Sequence, residues 1–573
     1  MKGIQIHIIL IALLLQGVFG NLPGQPPSDS VMLHSPVFRE NLYLVTDRAL
    51  YASGDPVRFR IFYLTHQLLK ENNWSKVVYL ELINGNQTPV SQGKFFLGPD
   101  GACGALEIPD TVSTGSFYLR AYTKWMRNFL ASDYVHTPLT VVNPQQFILP
   151  EPAAVPSGPQ MERMAVINTD GISCLPDRTS YGKREKVTVQ LITDPRWESP
   201  DGYAVSVVKM GHQVMEPVCY SGTVSGDQVV EGLVRYPPET RGISVTGKIV
   251  NGSDHQPVAF ANMHMTLLGA EPDYFGFVSD DRGDIQISIP SHTGAENALI
   301  SFDNKGDQSY ELVMDKAFSQ RYTDAPPGMA GLFDHPDVIE EALLLAQIRE
   351  SFNSIEMEEG ASPDTISSKE FYGTPEYRYR TASYISLPNM EEFFFELIPQ
   401  VMVQKYRGET SLVMMDEGGF PLEYTPLILL DHVAMNDLGT LLSIDPQQIE
   451  YIDIVNQMYT RGGNYYGGII SIISKEGNLA GAGLPEGSVI IDLQTYRGIG
   501  VGIFPERAEP ARGERIPDLR TTLYWEADRK VRPGTETRLE FFTSDIEGTY
   551  IVMVHGLTKE GLAFNGKCEF TVE

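Results

Sequence analysis

Several short stretches bring together residue types that do chemistry. Ser253-Asp254-His255 sets a hydroxyl, a carboxylate and an imidazole side by side. Members of a nucleophilic triad, however, converge from separate elements, and Asn251-Gly-Ser-Asp254 carries hairpin-turn residues, so a turn is expected. Gly561-x-x-x-x-Gly566-Lys567 has the outline of a phosphate loop, but Cys568 stands where Ser or Thr must hold magnesium, and the chain ends before a helix could form. Asp280, Asp281 and Asp284 offer hard oxygen ligands for calcium, yet five residues fall short of a dedicated loop. Arg282-Gly283-Asp284 within that stretch reads as a tight turn. The 11 histidines include neither HExxH nor a pair at i, i+4, which removes a zincin-type site. Cys103, Cys174, Cys219 and Cys568 lie too far apart for a zinc framework; two disulfides and buried thiols both stay open. No catalytic residue, cofactor or metal is expected, and the chain is read as not an enzyme. The remaining candidates are surface groups: Trp74, Trp125, Tyr465 and Tyr466 as aromatic contacts, and Asp431 with His432 at a turn.

The elements that must position these groups follow from composition and periodicity. A chain of 573 residues allows three to five domains. With 44 Lys plus Arg against 73 Asp plus Glu the formal charge is −29, which repels phosphate backbones and removes nucleic acid as a partner. The 52 Gly, 38 Pro, 27 Tyr and 26 Phe favour many short strands joined by turns over helical bundles. Residues 1–20, with Lys2, an apolar run from Ile4 to Leu15 and a small-residue exit at Gly17-Val-Phe-Gly20, have the tripartite pattern of a secretory signal. After its removal no stretch is apolar for long enough to span a membrane as a helix.

Alternation of apolar and polar residues in Val57-Arg-Phe-Arg-Ile-Phe-Tyr63 and Ser116-Phe-Tyr-Leu-Arg-Ala-Tyr122, with turns such as Gly98-Pro-Asp-Gly101, predicts a β-sandwich over 40–143. Asp47-Arg48-x-x-Tyr51 followed by Gly54-Asp55-x-Val57 returns 130 residues later as Asp177-Arg178-x-x-Tyr181 followed by Arg184-Glu185-x-Val187, so a second module of the same kind is expected over 166–236. This pattern resembles the opening of the macroglobulin-like domain of alpha-2-macroglobulins. Their thioester signature is missing, Cys103-Gly104 being followed by Ala105-Leu106, so covalent trapping of a protease is not implied. The stretch 240–320, with Val245-Thr-Gly-Lys-Ile-Val-Asn251, Pro257-Val and Asp280-Asp-Arg-Gly283, resembles a carboxypeptidase-regulatory-like sandwich, which implies a seven-stranded support domain. Residues 321–388 read as a linker with one helix, capped by Asp337 and striped by Ile339, Leu343, Leu344, Ile348 and Phe352.

Residues 389–480 change character. A short helix after Asn389, the apolar strand Pro426-Leu-Ile-Leu-Leu-Asp431, a Pro446 turn, Ile449-Glu-Tyr-Ile-Asp-Ile-Val455 and Tyr466-Gly-Gly-Ile-Ile470 make an α/β unit. That order is similar to the plug domain of TonB-dependent outer-membrane receptors, with His432 where the family commonly has Gly. A receptor barrel needs about 22 further strands, and only 96 residues follow Gly477. Those at 481–573 read instead as a C-terminal β-sandwich, again resembling the macroglobulin type.

The fold class expected is therefore mainly β and multidomain: tandem macroglobulin-like, Ig-like sandwiches with a small α/β plug-like domain. The combination resembles barrel-less envelope proteins of the Bacteroidota, and Asp29-Ser-Val31, Asp110-Thr-Val112 and Asp364-Thr-Ile366 resemble O-glycosylation acceptors of that group. The function expected is that of an exported, non-catalytic scaffold in the periplasm or at the outer membrane. Its plug-like domain would engage an outer-membrane protein or a transport or assembly complex through Tyr465, Tyr466, Asp431 and His432. The alternative is a glycan- or peptide-binding module.

Overall fold

The computed structural model describes residues 31–32, 39–65, 74–145, 172–193, 202–213, 233–268, 272–290, 297–303, 309–323, 336–356, 370–407, 409–497, 517–530, 534, 536–557 and 563–573. The export segment, Cys219, the start of the phosphate-loop-like stretch and the acceptor-like sites at Asp29 and Asp364 lie outside them. A small unit, Met1–Phe38 with Ser225–Pro237, contains one described antiparallel pair, Val31–Met32 with Leu233–Val234. The larger unit, Arg39–Val224 with Pro238–Glu573, holds every other described element.

The chain is mainly β and multidomain. Its first sandwich packs a three-stranded sheet (Glu40–Thr46, Pro56–Thr65, Ala102–Glu107) on a five-stranded one. The larger sheet runs Leu50–Ala52, Val135–Val142, Gly115–Tyr122, Val77–Asn84, Pro89–Phe96. Alternation places Val57, Phe59 and Ile61 in the core, where full burial of each contributes roughly 1.5–3 kcal/mol. The charged side chains Glu81, Lys94 and Arg120 of the five-stranded sheet do not face water. Arg120 is fully buried: its Nε donates to Glu81 Oε2 at 2.5 Å, and its Nη1 and Nη2 donate to the carbonyls of Arg321 and Ser319 at 2.6 and 2.7 Å. The segment that follows the Tyr310–Met314 strand thus covers this face, and the buried charge is tolerated because its donors are satisfied.

The stretches expected to be two separate sandwiches, 166–236 and 481–573, are two halves of one. Lys186–Thr193 pairs along its length with Glu536–Phe542, and Tyr203–Lys209 lies between Thr522–Arg529 and Gly548–Leu557. Val187, Val189 and Leu191 on one half and Leu539, Phe541 and Val552 on the other form a single core, because neither half has enough strands to cover its own apolar face. Cys174 is disulfide-bonded to Cys568 across this sandwich, and Cys103 is a free, half-buried thiol. Both Asp-Arg-x-x-Tyr openings fold alike. Tyr51 donates to Asp47 Oδ1 at 2.7 Å and Tyr181 to Asp177 Oδ1 at 2.5 Å, while the same aspartate oxygens accept from the amides of Arg58 and Thr188, each at 3.1 Å.

The third sandwich has a three-stranded sheet (Asp284–Ile289, Ile243–Asn251, Tyr310–Met314) and a four-stranded one (Asp273–Val278, Asn262–Leu268, Asn297–Phe302, Val489–Asp492). Its seventh strand therefore comes from the stretch assigned to the C-terminal sandwich. The linker helix is Pro336–Glu356; it starts at proline, so Asp337 lies in its first turn and does not cap it. Ile339, Ala342, Leu343 and Ala346 bury against Leu50, Ala52 and Val142, whereas Leu344 is exposed. Among the described residues no helix is long and apolar enough to cross a membrane.

Candidate functional site

The α/β unit has a mixed five-stranded sheet in the order Tyr377–Arg380, Ile449–Val455, Ile469–Ser474, Leu427–Leu430, Val433–Ala434. Ile469–Ser474 and Leu427–Leu430 are parallel and the other pairs antiparallel. The helix Met390–Leu397 is capped by Asn389, whose side chain accepts from the Glu392 amide at 2.9 Å, and buries Met390, Phe393 and Phe394 against the sheet. Asp437 caps the short helix Leu438–Ser443 in the same way.

Asp431 and His432 are the two residues of the turn between Leu427–Leu430 and Val433–Ala434, both left-handed at φ 47° and 67°. Asp and His populate that region more readily than most side chains, so the turn closes without the expected glycine. Asp431 Oδ1 accepts from the Ser474 amide at 2.7 Å; Oδ2 accepts from the Ser474 hydroxyl at 2.6 Å and the Leu479 amide at 2.7 Å. The His432 carbonyl accepts from Thr266 Oγ1 of the third sandwich at 2.9 Å. Both candidates thus fix the unit's own geometry and its seat on the neighbouring sandwich.

Tyr465 and Tyr466 separate. They lie on Asn464–Tyr466, paired with Tyr459–Arg461 across the Gly462-Gly463 turn. A Cβ at Gly462 would stand 2.1 Å from the Gly276 carbonyl oxygen, so only glycine allows the hairpin to approach the third sandwich this closely. Period-two alternation then sends neighbouring tyrosines to opposite faces. Tyr466 is buried, with its hydroxyl 2.9 Å from that of Tyr274. The Tyr274 hydroxyl in turn meets His264 Nδ1 at 2.6 Å, and His264 Nε2 meets Asp303 Oδ1 at 2.8 Å. Burial raises the Asp303 pKa but the hydrogen bond and charge of His264 outweigh it, leaving the carboxylate below its usual range. Tyr274 is buried and held well above the ordinary phenol value, so the relay supplies no tyrosinate; it clasps the α/β unit to the sandwich. Arg461, whose Nη2 reaches both carboxylate oxygens of Asp273, strengthens the clasp. Sequence reading missed this cluster because its members come from four separate elements.

Tyr465 points outward, 62% exposed, and stacks on Tyr424 at 5.9 Å between centroids. Phe395, Phe420, Ile385 and Tyr406 of the same unit are 66–74% exposed, and elsewhere among the described residues only Leu130 and Phe260 match them. Tyr424 and Phe420 sit in a connection with no periodicity, where an apolar residue has no core to point at; that was the available signal. Trp74 and Trp125, in contrast, pack on each other at 5.4 Å, and Trp125 is buried. Ser253-Asp254-His255 is a turn, with the Ser253 amide and hydroxyl donating to Asn251 Oδ1 and His255 at φ 56°. In the Asp280–Asp284 turn, Asp280 Oδ1 accepts from the amides of Arg282 and Asp284. Among the described residues no group of three or more His, Cys, Asp or Glu could hold a metal ion.

No family model matches the chain, and no curated protein matches it. Among solved structures it is similar to Salmonella alpha-2-macroglobulin reacted with methylamine, at 8% identity and a TM-score of 0.24, covering 96% of this chain and 40% of that one. The native conformation of E. coli alpha-2-macroglobulin gives 10% identity and a TM-score of 0.24 over 96% of this chain and 41% of that one. Dimeric latent PorU from Porphyromonas gingivalis gives 8% identity and a TM-score of 0.16, over 50% of this chain and 34% of that one. The chain spans about two fifths of the length of the alpha-2-macroglobulins it is similar to.

Proposed function

We propose that this protein is a non-catalytic cell-envelope scaffold whose α/β unit docks a protein partner, with the β-sandwiches as rigid spacers. The observation that carries the reading is the concentration of exposed large apolar side chains on that unit, with Tyr465 and Tyr424 stacked at its surface. Aromatics left in water at this density are the usual core of a protein interface. The secretory pattern of residues 1–20 supports export, to the periplasm or the outer membrane. The order of elements in 389–480, similar to a TonB-receptor plug, supports an outer-membrane protein or a transport or assembly complex as the partner. The macroglobulin-like resemblance supports the same compartment. Purification of the C-terminally tagged protein from gently solubilised envelopes tests this: a stoichiometric partner, lost in the Tyr424→Ala/Tyr465→Ala variant, is the expected outcome. Recovery of the protein alone would remove the reading.

One observation favours a second reading, a glycan-binding module. Two exposed, nearly parallel tyrosine rings make a platform on which a sugar face can stack. Saturable glycan binding lost on Tyr465→Ala, with no partner recovered, would put it first.

A further inference from the structure

The polar face of the five-stranded sheet in the first sandwich also borders a cavity of about 430 Å³, in the range of small-molecule sites. Lys94 enters it from Pro89–Phe96, and Lys124 and Arg127 from the turn after Gly115–Tyr122. Ser244 and Lys316 of the third sandwich and Gln494, just past the Val489–Asp492 strand, face them. In a chain of net charge −29, four cationic side chains, Lys94, Lys124, Arg127 and Lys316, line this one cavity, against the carboxylates of Asp315 and Asp492.

Two of the cations are buried and under-used. Lys94 and Lys124 are 3% and 6% exposed. Lys94 Nζ donates to the Gln494 carbonyl at 2.9 Å, and Lys124 Nζ donates to Ser244 Oγ at 2.8 Å. An ammonium carries three donors, and among the described residues neither lysine has a second hydrogen bond or an ion pair. Glu239 acts on both electrostatically from behind the wall, yet burial prevails and holds Lys94 down to about 8 and Lys124 below its ordinary value. Two buried acceptors are also unsatisfied, Gln494 Oε1 and Glu239 Oε2. The other Glu239 oxygen is taken by the Tyr79 hydroxyl and by the amide and hydroxyl of Ser244, two residues of the cavity wall. Such paired deficits are costly to keep empty.

We infer that this cavity binds a small carboxylate bearing hydroxyl or amino donors. Its carboxylate accepts from Lys94 and Lys124, and its donors reach Gln494 Oε1. A sugar acid and the C-terminal residue of a peptide share this chemistry, and the cavity has room for either.

Calorimetric titration of the full chain at pH 7 with D-glucuronate, L-alanyl-L-alanine, D-glucose and inorganic phosphate tests the inference. One or both carboxylates should bind one to one, and glucose should not. Glucuronate alone points to an acidic glycan as the source, the dipeptide alone to a peptide end, and both to the shared chemistry. Lys94→Met and Lys124→Met should each weaken binding about tenfold or more, the effect of losing one charge-assisted hydrogen bond. Lys405→Met, at an exposed residue paired with Glu391 in the α/β unit, should leave it unchanged. If a methionine variant fails to fold, reductive methylation of the unsubstituted protein read by mass spectrometry decides, since bound carboxylate should slow modification of Lys94 and Lys124 and leave Lys405 unaffected. Binding of neither carboxylate, binding indifferent to Lys94 and Lys124, or phosphate binding as tight as the carboxylates would each overturn the assignment.

Discussion

Arg48 Nη2 donates to Asp55 Oδ2 at 2.7 Å with both side chains buried, whereas the equivalent pair 130 residues on, Arg178 and Glu185 at 2.8 Å, stands half in water. The local geometry is otherwise shared: the amides of Ala52 and Gly182 donate to those carboxylates at 2.9 and 2.6 Å. What differs is the cover. Arg48 also donates to Thr522 Oγ1 at 3.1 Å, and Asp55 Oδ1 accepts from Arg349 of the linker helix at 2.6 Å, so the first pair joins three parts of the fold.

Removing one partner from a buried pair leaves the other charged and desolvated. Asp55→Asn should therefore lower the free energy of unfolding by about 3 kcal/mol. Glu185→Gln, in the exposed copy, should leave the unfolding midpoint where it is. Urea titration of both variants is the check, and equal losses would contradict the assignment of roles.

The contrast also marks what the sequence makes legible. The Asp-Arg-x-x-Tyr opening is readable because its hydrogen bonds close within 11 residues, from Asp47 to Arg58 and from Asp177 to Thr188. The pairing of Val187 with Phe541 is not readable. A strand with one apolar face has the same pattern whether its partner is the next strand or one near the end of the chain, so two half-sandwiches look like two whole ones. At the α/β unit, alternation shows that Tyr465 and Tyr466 face opposite ways, but only the close approach at Gly462 decides which one is buried. Nothing in the local sequence marks Lys94 and Lys124, since the residues they meet, Gln494 and Ser244, lie 400 and 120 residues away.

The pairing of sequence-distant halves gives the disulfide its consequence. Cys174 opens the first half and Cys568 lies in the last strand, 394 residues on. Cleavage by a protease anywhere between the halves should leave them joined on a non-reducing gel. Cys568→Ser should cost about 2–4 kcal/mol on unfolding, as the tether no longer restrains the unfolded chain. Peptide mapping should recover Cys174 linked to Cys568 and Cys103 as a thiol.

The clasp between the α/β unit and the third sandwich is expected to be cooperative. Tyr466→Phe and Tyr274→Phe each remove one end of the same 2.9 Å hydroxyl contact, and each should cost about 1 kcal/mol. Because either change alone leaves the partner hydroxyl short of a bond, the double variant should cost less than the sum, with a coupling of at least about 0.5 kcal/mol. Strict additivity in thermal or urea unfolding would mean that the contact does not form in solution.

The buried histidine His555 sets a pH test with a definite sign. Its Nδ1 meets Asn565 Oδ1 at 2.9 Å, and burial pulls its pKa from 6.5 down to about 4. Between those values the unfolded chain binds a proton that the folded chain refuses. His555 therefore contributes its full stability above pH of about 6.5 and loses it as the pH falls toward 4. Glu40 and Asp47 act oppositely, since burial raises both carboxyls, so the slope of the unsubstituted protein is a net effect. The comparison that isolates the imidazole is with His555→Gln, which cannot take up the proton. At pH 7 the variant should be the less stable protein, and its deficit should shrink by up to about 1.4 kcal/mol for each unit the pH is lowered below 6. A deficit that stays constant down to pH 4.5 would show that His555 titrates in the folded protein as it does in the unfolded chain.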